Sequence, residues 1–247
     1  MHKYLLLLLI ATPLSHAGTC SQGLDDVIAR YVVARGGSEA LEKQRALRIV
    51  STHYEGKYQP VLDYRVLKPG YMWVRATYRD GFIYTEGFDG ERAWEQPGAD
   101  QSAEYVGGDA ARALNQGAMS PVHLYGLQHM AGLGAKMALR GCESIDGRDY
   151  FVVNVLSRFG TDIDYYIDAN SYRLARSRTV RPLHPTQDPT PITIEERWSD
   201  FRLVDGVLHP FVLEQWNVTS GERLTRLEID SIEQLPDATA ADFARPE

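Results

Sequence analysis

The sequence predicts an α+β protein. Its core is a strongly curved, mostly antiparallel sheet of about eleven or twelve strands, an open half-barrel covered by N-terminal and central helices. Three observations carry this. Runs of period-two alternation fill most of the chain after Ala46. Helix-spaced segments come in blocks, one before that point and one between Gly107 and Ala138, instead of alternating with strands. Asp-Gly pairs at 80–81, 89–90, 146–147 and 205–206 stand between apolar runs, where type I′ hairpin turns favour them. A sheet of that size curls, and curling around helices gives a half-barrel with a lid.

The first seventeen residues read as a targeting segment. His2-Lys3 gives a basic start, Leu5 to Ala11 an apolar run, and Ser15-His16-Ala17 the small residues of a signal peptidase site, with cleavage near Ala17. The run is far short of the ~20 residues a membrane span requires. Residues 18–247 are then expected to form a single exported domain in the periplasm. Leu24, Val27, Ile28 and Tyr31 recur at helical spacing, Asp25 and Asp26 suit the first turn, and Gly36-Gly37 ends the helix. Ser38 is the expected N-cap of a second helix, Glu39 to about Arg45. Strands follow at Arg48–Glu55, Val61–Leu67, Tyr71–Tyr78, Phe82–Phe88 and Arg92–Gln96. Two short helices are expected at Asp109–Gln116 and Pro121–Ala131, the second begun by Ser120 with Pro121 at its first position. Strands resume at Lys136–Ile145, Arg148–Leu156, Asp162–Asp168, Leu174–Val180, Ile192–Arg202, Val207–Val218 and Glu222–Glu233. Four prolines between Pro182 and Pro191 make a stiff, exposed loop.

Composition narrows the function. Hydrophobic content of 44% with 24% charged residues is ordinary for a soluble globular protein. The formal charge of −7 leaves no electrostatic footprint for nucleic acid and little attraction to anionic lipid. No G-x-S-x-G elbow, P-loop, G-x-G-x-x-G, C-x-x-C or H-E-x-x-H occurs. His53, His123, His129, His184 and His209 are scattered, and His123 and His129 are six apart, so no catalytic residue, metal or cofactor is expected. Asp162, Asp164 and Asp168 share a strand face that reads as solvated, with a hard-cation site as the alternative. The two cysteines, Cys20 and Cys142, allow one disulfide closing a long loop and stabilising by roughly 4 kcal/mol; two free thiols, or a lipidated Cys20, are the other options.

What remains is an aromatic surplus on curved β-structure: Tyr54, Tyr58, Tyr64, Tyr71, Trp73, Tyr84, Trp94, Tyr165, Tyr166, Trp198 and Trp216. Concave sites are mostly apolar with a few placed polar groups, and Arg75 and Glu86 are expected inside such a surface.

Five stretches resemble the outer-membrane lipoprotein-sorting family, the LolA/LolB-like proteins and related lipoprotein-sensing regulators. They are Leu24 to Val50 with ARGGSEALEKQRALRIV, Lys68-Pro69 before an aromatic strand, Phe88-Asp89-Gly90 with Trp94, Tyr165-Tyr166-Ile167-Asp168 with Leu174, and Phe243-Ala-Arg-Pro246. The resemblance implies a bent sheet enclosing an apolar cavity for acyl chains, and no chemistry. In the carrier branch an arginine just before the Pro contacts the lid; here Lys68 holds that place, and Lys lacks the planar fork. The expectation is an exported, non-enzymatic carrier or chaperone for a lipid or the acyl chain of a lipoprotein, touching membranes only transiently. The expected cavity wall is Tyr64, Tyr71, Trp73, Arg75, Tyr84 and Trp94, with Lys68, Tyr125, Leu127 and Met130 as rim and lid. The alternatives are a periplasmic sensor or interaction module with an envelope protein partner and no bound lipid, and an exported hydrolase using Asp164 or Asp168 with His184.

Overall fold

The computed structural model of the chain describes residues 21–184 and 187–247. Its strands are β1 (Ala46–Tyr54), β2 (Val61–Leu67), β3 (Tyr71–Thr77), β4 (Ile83–Phe88), β5 (Ala93–Gln96), β6 (Glu104–Tyr105), β7 (Lys136–Ile145), β8 (Arg148–Leu156), β9 (Asp162–Asp168), β10 (Leu174–Arg181), β11 (Ile192–Val204), β12 (Val207–Asn217) and β13 (Arg223–Gln234). They make one sheet in the order β6-β5-β4-β3-β2-β1-β13-β12-β11-β10-β9-β8-β7. Hairpins therefore run outward on both sides from a central join, where β1 pairs antiparallel with β13. The sheet bends into a half-barrel and does not close, leaving β6 and β7 as its edges. Register shifts at Val50/Ser51, Leu174/Arg176, Gln215/Trp216 and Leu139/Gly141 place extra residues in three strands, two in β13 and one each in β10 and β7, and such bulges increase local bend and twist.

Helix α1 (Leu24–Ala34) buries Val27, Tyr31 and Val32 against the concave face. Gly36 at its C-terminus acts by close approach, since a Cβ there would collide with the Gly206 carbonyl, and Arg35 O accepts the Leu208 N–H at 2.9 Å. Helix α2 (Ser38–Lys43) starts with Gly37 as its N-cap, so the expected Ser38 cap is corrected; no side chain caps it. Helix α3 (Gly108–Ala118) lies over β3, β4 and β5.

Two further expectations change. The helix expected over Pro121–Ala131 is a run of turns with a single 3₁₀ turn at Leu127–His129. The hairpins at Asp80-Gly81 and Asp89-Gly90 are not type I′, because only their glycines have positive φ (85° and 96°). There Asp80 Oδ1 accepts the Phe82 N–H, and Asp89 Oδ1 accepts those of Glu91 and Arg92. Asp146-Gly147 and Asp205-Gly206 do have both residues at positive φ, as the mirror-image turn needs.

The half-barrel has two unlike rims. One is stoppered by α1, α2 and the 119–135 segment: Lys68 Nζ, in the β2–β3 turn, donates to Leu41 O at 3.0 Å and stands 5.9 Å from the Tyr125 ring. The opposite rim carries the 55–60, 78–82, 157–161 and 218–222 connections together with residues 182–184 and 187–191, and lacks such a plug among the described residues.

Candidate ligand-binding groove

Cross-strand partners share a sheet face, so the register decides what points inward. Under α1 and the 119–135 segment the concave face is packed solid, with Leu47, Val66, Val153 and Ile167 against Tyr31, Leu127 and Met130. Under α3 a groove remains. The helix is slender because it is rich in Ala and Gly, and it seats Leu114 and Ala118 on Met72, Phe88 and Ala93. Tyr64 OH donates to Gly117 O at 2.9 Å, fixing its C-terminal turn.

The groove has three adjoining parts. A cleft of about 900 Å³ opens at the unplugged rim beside α3 (Asp109, Arg112, Gln116) and Arg181, edged by Phe159 and Pro182, and continues over the rim onto the outer face of β9–β10, where Asp164 and Arg178 pair across strands. That volume lies in the range of ligand sites, ~300–1,000 Å³. Ala113, Gln116 and Arg181 border both this cleft and an inner chamber of about 230 Å³ floored by Tyr165, Ser177, Glu196 and Trp198. An apolar recess of about 40 Å³ among Met119, Met130, Leu133 and Ile163 meets the chamber at Gln116 and Tyr165.

Polarity is graded along it. At the throat Arg181 stands 3.9 Å from Glu196 Oε1, which also accepts from Gln215 Nε2 at 2.9 Å. Tyr165 and Trp198 stack with centroids 6.4 Å apart. Burial pushes the Tyr165 hydroxyl far above its usual range, so it stays neutral. The inner end is apolar. Such a groove suits an extended hydrocarbon with a polar end at the throat.

The segment facing α3 is held by one side chain. The Arg35 guanidinium is buried and donates to the carbonyls of Pro121 (2.9 Å), His123 (2.8 Å) and Tyr125 (2.5 Å) and to Tyr31 OH (3.1 Å). These carbonyls bond an arginine from α1 where a helix would give them i+4 amides, which is why no helix forms at 121–131. Lys68 joins from below, its ammonium pKa lowered by burial. Behind Tyr125, His123 and His209 stack 6.0 Å apart with their rings 16° from parallel.

The residues expected at the site divide between the two faces. Tyr64, Tyr84 and Glu86 point inward, opposite Val74 and Ala76. Burial, then the neighbouring Glu95, raises Glu86 to about 7. Tyr71, Trp73, Arg75 and Trp94 point the other way, which corrects the expected wall and separates Arg75 from Glu86. Tyr71 and Trp73 pack beside Phe243 beneath the C-terminal tail, and Trp94 Nε1 donates to Phe243 O at 3.3 Å. Lys68, Tyr125, Leu127 and Met130 do gather at the plugged rim, the last three buried. Cys142 is disulfide-bonded; Cys20 and the targeting segment lie outside the described residues. Sequence reasoning missed Arg35, Gln116 and Arg181, and it placed Tyr165 and Trp198 only in the general aromatic surplus.

The hydrolase constellation does not converge. Asp164 accepts from Arg140 (3.0 Å) and Asn154 (2.9 Å), Asp168 Oδ1 caps the β9–β10 turn, and His184 Nε2 lies 2.5 Å from Glu55 Oε1. Among the described residues no three His, Cys, Asp or Glu side chains group as metal ligands, and no helix is long and apolar enough to cross a membrane.

No family model matches the chain, and no curated protein matches its sequence. Solved structures do match its fold. A DUF1329 family protein from Desulfovibrio piger aligns with a TM-score of 0.57 at 11% identity, over 91% of this chain and 98% of that one. A LolA superfamily protein from Nitrosomonas europaea gives 0.57 at 13%, over 91% and 98%. A domain assigned to outer membrane lipoprotein sorting, from Vibrio parahaemolyticus, gives 0.53 at 10%, over 90% and 95%. The chain has the LolA/LolB-like fold.

Proposed function

We propose that this protein is an exported, non-enzymatic carrier or chaperone that holds a lipid, or the acyl chain of a lipoprotein, in the groove beneath α3. The observation that carries this reading is the graded groove itself: a wide charged mouth, an Arg181–Glu196 throat, an aromatic floor and an apolar end. Burying a chain of ~14 carbons at ~0.8 kcal/mol per CH₂ offers roughly 11 kcal/mol before entropic costs, which suffices for a carrier. The fold agrees, being shared with a LolA superfamily protein and a lipoprotein-sorting domain. The ligand wall of this reading is Tyr165, Trp198, Met119 and Met130, with Tyr64 holding the helix above it.

Native mass spectrometry of protein purified without detergent, followed by organic extraction, tests it. A co-purifying phospholipid, fatty acid or acyl peptide is expected, or uptake of one from lipid vesicles. Ala113→Trp, which fills the throat from α3, should abolish uptake, whereas Trp73→Ala on the outer face should leave it intact. A bare mass unchanged after incubation with vesicles sinks the carrier reading. It would favour an envelope interaction module, a reading supported by how much of the concave face the protein's own side chains already fill.

A further inference from the structure

The exposed apolar side chains are not scattered over the surface. Of the ten large hydrophobics most open to solvent among the described residues, seven lie on the unplugged rim, including Val180 (67% exposed), Tyr58 (55%), Phe82 (46%) and Phe159 (37%). They stand on the turns and strand ends of this rim, and Phe159 and Val180 border the mouth of the groove. Each aromatic tip has a basic neighbour. Lys57 Nζ lies 5.4 Å from the Tyr58 ring and the Arg158 guanidinium 4.6 Å from that of Phe159. Arg79 belongs to the turn on which Tyr78 and Phe82 meet, 5.6 Å between centroids. The acids of the first two turns are engaged within the protein, Glu55 by His53 and His184, and the exposed Asp80 as acceptor of the Phe82 N–H.

We propose that this rim docks on a phospholipid surface, presenting the groove mouth to the bilayer. The inference takes its occupant from the lipid-binding reading above. Amphipathic rings flanked by Lys and Arg are the chemistry of the headgroup region, where rings lie at the interface and cationic ends reach phosphates. Tyr58, Tyr78 and Phe82 form one aromatic cluster across two turns, with centroids 6.5 and 5.6 Å apart, while Phe159 and Val180 border the groove mouth itself, and fluid headgroups can surround both groups at once. An acyl chain leaving such a surface would enter the cleft without crossing water.

The experiment is flotation of the protein with phosphatidylethanolamine–phosphatidylglycerol vesicles, at low salt and at about 1 M salt, where exposed charge pairs are screened. Wild-type protein should float under both conditions. The variant Y58S/F82S/F159S/V180S should bind at least about tenfold more weakly, its urea midpoint unchanged because all four side chains are exposed. No flotation of wild type, flotation abolished by salt, or a variant that floats equally well would each overturn the proposal. Uptake of free myristate, followed by native mass spectrometry, keeps the two readings apart. A protein that takes up myristate but does not float has a ligand groove and no docking rim; one that floats but takes up nothing has the rim without the carrier groove.

Discussion

Arg35 is the residue on which the closed face of the site depends. Its hydrogen bonds go to three main-chain carbonyls and a phenol, so its charge is balanced by oriented dipoles of a segment that has almost no regular structure of its own. Hydrogen bonds to a charged group each contribute ~1.5–3 kcal/mol, and a buried carbonyl left without a donor costs more than one that returns to water. Arg35→Lys keeps the charge but replaces a planar fork by a compact ammonium that cannot span Pro121, His123 and Tyr125 together. Unfolding free energy from urea titration should fall by about 3 kcal/mol, and amide exchange should quicken through residues 121–130 first. An unchanged urea midpoint would mean that water replaces the guanidinium at no cost. Nothing in the sequence marked this residue. Arg35 falls directly before Gly36-Gly37, where a basic residue at a helix C-terminus is unremarkable, and its carbonyl partners are 86 to 90 positions away.

Among the elements, the strands were the most legible. β2, β7, β8 and β9 begin and end on the residues that alternation indicates, because their hairpin turns fix register and one of their faces is plainly buried. The inward face of β3 was not legible. Tyr71 and Trp73 bury beneath the C-terminal tail while Met72 and Ala76 bury beneath α3. Both faces are therefore heavy, and alternation cannot rank them when each is covered by a segment distant in sequence. α3 was legible as a helix but not as the roof of the groove, since its seating depends on Gly117. A Cβ there would stand 2.9 Å from Met72 Sδ. Overpacking of that kind costs ~1–3 kcal/mol, against up to ~1 kcal/mol gained in helix propensity. Gly117→Ala should therefore lower stability by about 1 kcal/mol and reduce acyl uptake by lifting the roof. In a Met72→Ala background the same substitution should become neutral or stabilising. Equal effects in both backgrounds, measured as a double-mutant cycle in urea, would show that the helix end is not seated on Met72.

At the scale of the molecule, an N-terminal strand and the last strand meet at the centre of a sheet whose two edges come from the middle of the chain. Local turn chemistry predicts the hairpins, but the β1–β13 join comes only from long-range burial. The groove was not legible either, because it is what remains when α3 and the 119–135 segment fail to meet. This tight closure buries titratable groups, and its stability should follow pH accordingly. Burial lowers His123 to about 3 and His209 to about 2, so the folded state keeps both neutral while the unfolded chain protonates near 6.5. The stability tied to these histidines is present above that value and is lost as pH falls toward the folded values. Glu86 opposes them: raised to about 7, it binds a proton in the folded state that the unfolded chain lacks between about 7 and 4.5, so its effect favours folding as pH falls through that window. Glu55, held at about 2 mainly by its hydrogen bond to His184, joins the histidines below 4.5. Between pH 6.5 and 4.5 these groups leave the unfolded state a net excess of one proton, two from the histidines less one from Glu86, and His129, also lowered by burial, adds to it in the upper part of the window. Stability should decline by at least about 1.4 kcal/mol per pH unit there, and more steeply below. His209→Gln removes one of these histidine protons and should make the upper part of that slope shallower by about 1.4 kcal/mol per pH unit. Urea midpoints taken from pH 7 to pH 4.5 on both proteins decide it. Parallel slopes would mean that the stacked histidines open to solvent long before the sheet unfolds.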